Sequence, residues 1–260
     1  MLSQEALRVP AERLGLGATI AVERVADAAA LADRFAADLM GVYRAAVAAG
    51  RAKVAFIVPV GPVGQFERWA AACNEARQSL AHLVLIGMDE YLTAGGERLP
   101  DDDPLSFRGH VERNFWSRLD PALAPPPAQR LFPDPADPDA VSRAIAAAGG
   151  VECCFGGVGI TGHLAFNDPP EPGQPIETDA FAALPTRVVV LSRETRTINA
   201  VTAARGNLDR IPERAVTVGM KEILGARAVR LYLNRPWQAA IVRKLLHGPV
   251  TAAVPARDLD

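Results

Sequence analysis

Apolar and polar positions follow two patterns that take turns along the chain. Short runs that are apolar almost throughout have the length and β-branched content of buried strands: residues 53–60 (KVAFIVPV), 82–87 (HLVLIG), 152–155 (ECCF), 186–191 (TRVVVL), 215–219 (AVTVG) and 228–233 (AVRLYL). Between them lie alanine-rich stretches with apolar residues at helical spacing. In residues 24–49, for example, Leu31, Phe35, Leu39 and Val42 share one face. The same reading predicts helices over 64–79, 104–118, 139–148 and 236–247, with outlying short strands at 18–22 (ATIAV) and 250–254 (VTAAV). Strands alternating with helices predict a doubly wound, Rossmann-like α/β fold, with a mainly parallel sheet and helices on both faces. No repeat or linker divides the chain, so residues 1–260 are expected to form a single domain. Residues 167–185 hold five prolines and few apolar anchors, which makes the segment a candidate lid.

Composition narrows the function classes. Lys+Arg 28 and Asp+Glu 30 are interspersed and give a net charge of −2, so no basic stripe suits nucleic acid. No apolar stretch approaches the roughly 18 residues of a membrane span, and the N-terminal MLSQEALRVPAERL lacks the order of a signal peptide. A cytoplasmic protein with no membrane partner is the expectation. The cysteines are three, and Cys153 and Cys154 are neighbours in a strand, where their side chains point to opposite faces; they read as reduced packing residues.

Ligands of parallel α/β sheets bind at the carboxyl ends of the strands, and three such ends carry candidate chemistry. After residues 53–60 the turn through Gly61, Val63 and Gly64 leads into a helix N-terminus, where free amides can receive an anion; an ordinary strand-to-helix turn is the other reading. After 82–87 come Asp89 and Glu90, adjacent carboxylates that suit either chemistry or a solvated turn or helix cap. After 152–155 comes GGVGITGHLAFNDP, which sets His163 among Gly157, Gly159, Thr161 and Gly162 with Asp168 five residues on. A histidine in a glycine loop beside a carboxylate suits proton transfer, although a lone histidine is often structural.

Together MDEYL, GGVGITGHLAFNDP, TRTINA and IPERAVTVG resemble the glucosamine-6-phosphate deaminase family, in order and spacing from about residue 53 to 254. The resemblance implies an α/β fold related to the 6-phosphogluconolactonases, and GHLAFNDP points to the deaminase branch. It implies an enzyme that opens an amino sugar phosphate, isomerises it through an enediol-like intermediate and releases ammonia, with no metal and no cofactor. Asp89 would be the carbon-acid base, His163 the ring-opening acid or base, and Asp168 the carboxylate, usually glutamate, that orients the histidine. Gly61, Val63, Gly64, Glu90, Gly157, Gly159, Thr161, Gly162 and Lys221 would contact the sugar or sugar phosphate.

The chain departs from the family pattern at several positions. Thr161 stands where the family has an aspartate, and the phosphate turn lacks both hydroxyls and one glycine. The family's arginine aligns near Val201 and its lysine near Trp237 or Gln238, leaving Arg193, Arg196, Arg205, Lys221 and Arg235 as substitutes. Lys221 is one of three lysines. Homo-oligomers are common in the family, so one is possible here. Three other readings stay open: the same chemistry on a differently phosphorylated or unphosphorylated sugar, a 6-phosphogluconolactonase-type hydrolase, and a non-catalytic sugar-binding module.

Overall fold

The computed structural model describes residues 5–171 and 173–257. In chain order its strands are β1 Val54–Val58, β2 Leu83–Gly87, β3 Asp89–Tyr91, β4 Arg130–Leu131, β5 Val151–Gly156, β6 Arg187–Val190, β7 Arg214–Thr217 and β8 Val229–Leu231. Its α-helices are α1 Ala28–Ala48, α2 Gln65–Glu75, α3 Phe107–Asn114, α4 Asp139–Ala148, α5 Thr178–Ala182, α6 Arg193–Ala203, α7 Met220–Leu224 and α8 Ala239–His247. Five strands form a wholly parallel sheet in the order β4-β2-β1-β5-β8. The alternation along β1 sorts two cores. Phe56 and Val58 face α1 and α2 through Phe35, Leu39, Tyr43 and Trp69, while Ala55 and Ile57 face α4, α7 and α8 through Val141, Ile223, Ile241 and Leu245. Helices therefore cover both faces, as the all-apolar strands require. Cys153 joins the first core and Cys154 the second; both thiols are free, and burial pushes the Cys153 thiol up to about 12.

The observed strands depart from the expected sheet in several places. Residues 186–191 and 215–219 do not extend the parallel sheet but supply β6 and β7 of a separate antiparallel sheet, ordered β3-β7-β6. Val188 and Val190 of β6 are exposed, the one-sided burial that antiparallel sheets allow. β3 follows β2 with only Met88 between them, so the chain steps from one sheet into the other at the edge where ligands are expected. Residues 18–22 and 250–254 form no strands. Ile20, Ala252 and Val254 are apolar because they pack irregular chain onto the second core. The helix expected over 104–118 is shorter and ends at Asn114, followed by a 3-10 turn at Trp116–Arg118. Similarly, 64–79 narrows to α2, and α8 is preceded by a 3-10 turn at Pro236–Gln238. α1 begins at Ala28, where the Asp27 side chain accepts from Ala30 N at 2.8 Å.

A third core of Tyr91, Phe166, Leu191, Ala200 and Ile211 fastens the small sheet to α6 and to the glycine loop. Within 167–185, Asn167 and Phe181 are buried, and α5 packs on α7. Among the described residues no helix is long and apolar enough to cross a membrane.

The junction at Gly219 is tight: a Cβ there would lie 2.1 Å from the Leu184 carbonyl oxygen and 2.3 Å from the Pro185 carbonyl carbon. Backbone cannot yield as a flexible side chain can, so Gly219→Ala is expected to cost about 1–3 kcal/mol or more of stability. Urea unfolding monitored by circular dichroism checks this.

Candidate active site

The glycine loop after β5 is tightly folded. Gly159 N–H donates to the His163 carbonyl at 3.0 Å and Gly162 N–H to the Gly159 carbonyl at 3.0 Å. Gly162 takes φ +92°, open to glycine at low cost. A Cβ on Gly159 would fall 1.9 Å from His163 Nε2, so Gly159 makes room for the imidazole. His163 is 9% exposed, and its Nδ1 lies 2.8 Å from Asp168 Oδ1. The hydroxyls of Thr161 and Thr195 also donate to Asp168 Oδ1, each at 2.8 Å, and stand 2.9 and 3.2 Å from Nδ1. Asp168 Oδ2 accepts from Ser192 N at 3.3 Å, at the cap of α6, so the carboxylate also meets the positive end of that helix. Burial alone would raise the Asp168 carboxyl. The hydrogen bond and charge of His163, then the hydroxyls of Thr195 and Thr161, outweigh it and hold the group well below the usual carboxylate range.

The two carboxylates of β3 point to opposite faces of the small sheet. Glu90 is fully buried. Its Oε1 accepts from Tyr91 N and Phe107 N at 2.9 and 3.1 Å, and its Oε2 from Ser106 Oγ and Arg108 N at 3.0 and 2.8 Å. It caps the first turn of α3, so the helix-cap reading of the pair describes Glu90, and its oxygens are occupied by the protein's own donors. Asp89 is 9% exposed and has no side-chain hydrogen-bond partner among the described residues. Burial, and then the neighbouring Glu90 charge, push its carboxyl up to about 8.

Asp89 and the glycine loop meet at Thr217. This residue pairs with Asp89 across β3 and β7, and its hydroxyl accepts from Phe166 N at 2.9 Å. Asn167 adds a bond from Nδ2 to the Val218 carbonyl at 2.9 Å. The turn after β1 lies on the same edge: the Gly61 carbonyl is 3.4 Å from where a Gly157 Cβ would be. Gly64 takes φ +106° as N-cap of α2, and Val63 is exposed. Lys221 is exposed on the first turn of α7, and no described contact joins its side chain to the His163 cluster. Of the substitute cations, Arg196 lies instead beside Glu213, at 3.5 Å. Val201, where the family's arginine aligns, is exposed.

Sequence reasoning missed Thr195. It lies within TRTINA, and the only local sign of its position is Ser192 three residues before, which caps α6 by accepting from Thr195 N at 3.1 Å. Among the described residues no cluster of His, Cys, Asp or Glu could hold a metal ion. An open cavity of about 350 Å³ at the opposite end of the sheet, where Arg51 and Arg227 pair with Glu152, includes none of these residues.

No protein-family model matches the chain. A glucosamine-6-phosphate deaminase of Porphyromonas gingivalis is 32% identical over 225 residues, which cover 84% of this chain and 79% of that one. Another, from Shouchella clausii, is 30% identical, with coverage of 76% and 75%. Among solved structures, a monomeric glucosamine-6-phosphate deaminase described as a missing link of the NagB superfamily matches with a TM-score of 0.72 at 24% identity, over 92% of each chain. The 6-phosphogluconolactonase of Trypanosoma brucei matches at 0.63 and 14%, over 94% of each. These two structural matches describe the fold.

The raised Asp89 carboxyl makes a stability prediction. The folded protein keeps a proton that the unfolded chain releases above pH about 4, so this group's contribution falls as pH rises from about 4 to about 8 and is level beyond. Asp89→Asn is expected to flatten that slope, as read from denaturant midpoints across the range; an unchanged slope would place its origin elsewhere.

Proposed function

The chain belongs to the glucosamine-6-phosphate deaminase family, and we propose that it opens, isomerises and deaminates an amino sugar phosphate with Asp89, His163 and Asp168 as its acid–base groups. The observation that carries this reading is the Thr217 junction, which holds the strand of Asp89 and the loop of His163 to one residue. One carboxyl is kept ionised and the other is kept close to neutrality of charge, a division that assigns them different work.

Asp168 occupies His163 Nδ1, so Nε2 is the nitrogen that exchanges a proton with the ring oxygen as the sugar opens. The open chain then presents a hydrogen on C2, the amine-bearing carbon next to the C1 aldehyde. Asp89 removes it, the C1–C2 enediol-like system forms, and the proton returns at C1. Water replaces nitrogen at the resulting C2 imine, and ammonia leaves. Asp89 must be ionised for the first transfer, and a substrate ammonium opposite the carboxylate offsets the repulsion from Glu90. The sugar phosphate is received at the turn of Gly61, Val63 and Gly64, where α2 begins without a side-chain cap and the amides of a helix's first turn can meet an anion.

The test is ammonia release from glucosamine-6-phosphate, with 6-phosphogluconolactone offered in parallel. Wild-type protein is expected to release ammonia and form a ketose phosphate. Its kcat/KM should rise about tenfold per pH unit below pH 8 and then level off. Asp89→Asn should lower kcat by about 10²–10⁴-fold with little change in binding. Absence of ammonia, with lactone hydrolysis that survives Asp89→Asn, would assign the site to a hydrolase instead.

A further inference from the structure

The His163 cluster holds more donors than an acid–base pair needs. Asp168 Oδ1 faces the Thr161 hydroxyl, the Thr195 hydroxyl and the imidazole Nδ1, all at 2.8 Å. Thr195 is fully buried and comes from α6, 27 residues beyond Asp168. We infer that Thr195, with Thr161, is a positioning residue of the acid–base pair: the two hydroxyls clamp the Asp168 oxygen against Nδ1 and so fix the imidazole with its proton on Nδ1 and Nε2 bare. This rests on the acid–base role proposed for His163.

Counting protons leads to the same arrangement. Each threonine hydroxyl has one hydrogen, and both spend it on Oδ1, so neither can donate to Nδ1. An unprotonated Nδ1 would then aim its lone pair at a carboxylate oxygen 2.8 Å away, whereas a protonated one completes the set of three donors. With the proton on Nδ1, the same hydroxyl oxygens can also accept from it, at 2.9 and 3.2 Å. The backbone fixes where both hydroxyls start from. Thr161 belongs to the turn closed by the Gly159 to His163 hydrogen bond, and Thr195 follows the Ser192 cap. Asn199 on the same helix donates to Tyr91 Oη at 2.8 Å, so α6 keeps its place against the strand of Asp89. The hydroxyls add donors without adding a second negative charge beside the histidine.

The experiment compares Thr195→Val and Thr195→Ser in ¹⁵N-imidazole NMR and in steady-state ammonia release. Wild-type protein is expected to show one tautomer, protonated at Nδ1. Thr195→Val should mix the tautomers and lower kcat by about tenfold or more, with KM within about twofold, because the acid–base pair is misaligned while the binding contacts are kept. Thr195→Ser should restore both. The inference is overturned if Thr195→Val keeps the wild-type tautomer and kcat, or if Thr195→Ser fails as the valine variant does, which would show that the hydroxyl is not what holds the pair. If wild-type protein releases no ammonia, the proposed activity fails separately, and the NMR comparison alone decides: an unchanged valine spectrum overturns the positioning role.

Discussion

A single carboxylate oxygen, Oδ1 of Asp168, gathers the glycine loop, the imidazole and the start of α6 at one point. The group is buried, so leaving it without donors would be costly, and the surroundings that exclude water also strengthen each bond it accepts. The segments that meet there cannot shift independently. Moving α6 would withdraw Thr195 and the Ser192 amide together, and reshaping the loop would withdraw Thr161 and His163. The site is therefore organised around an acceptor that the parallel sheet does not itself carry, and the sheet's part is to deliver the loop to it at the end of β5.

The second constraint concerns charge. Glu90 saturates both its oxygens on the first turn of α3, on the face of the small sheet opposite Asp89. Its charge nonetheless acts on its neighbour, because adjacent residues of a strand stay close even when their side chains diverge. A group that secures a helix thus also adds to the upward shift that burial imposes on the residue assigned to carbon-acid chemistry. Fold and reactivity meet in the dipeptide Asp89-Glu90.

The central strands of the large sheet were legible because 53–60, 82–87 and 152–155 are apolar almost throughout and can be satisfied only by burial on both faces, whereas β4, two residues in a proline-rich stretch, shows no such run. In the small sheet, 186–191 and 215–219 were legible as strands, but their antiparallel pairing and β3 were not. β3 is three residues long, too short to show a period, and its polar sequence Asp-Glu-Tyr resembles a turn. Residues 18–22 and 250–254 failed as strands because apolar content signals burial but does not specify a ladder partner. At the site, His163 and Asp168 could be paired from five-residue spacing, and the structure places them in contact. Thr195 could not be found this way, since its contact spans 27 residues and depends on where α6 begins. The roles of Asp89 and Glu90 separate only when the amides of Phe107 and Arg108 arrive from 17 and 18 residues away.

Thr217 leaves one more consequence. Asp89 stands on the antiparallel sheet and His163 on a loop of the parallel one, so the span between them is a distance between two layers of the fold, with Thr217 as its spacer. Exchanging residues around that spacer would widen or narrow the gap while leaving the Asp89 and His163 side chains in place. On the proposed activity, sugars of different girth could thereby be accommodated without any rewriting of the chemistry.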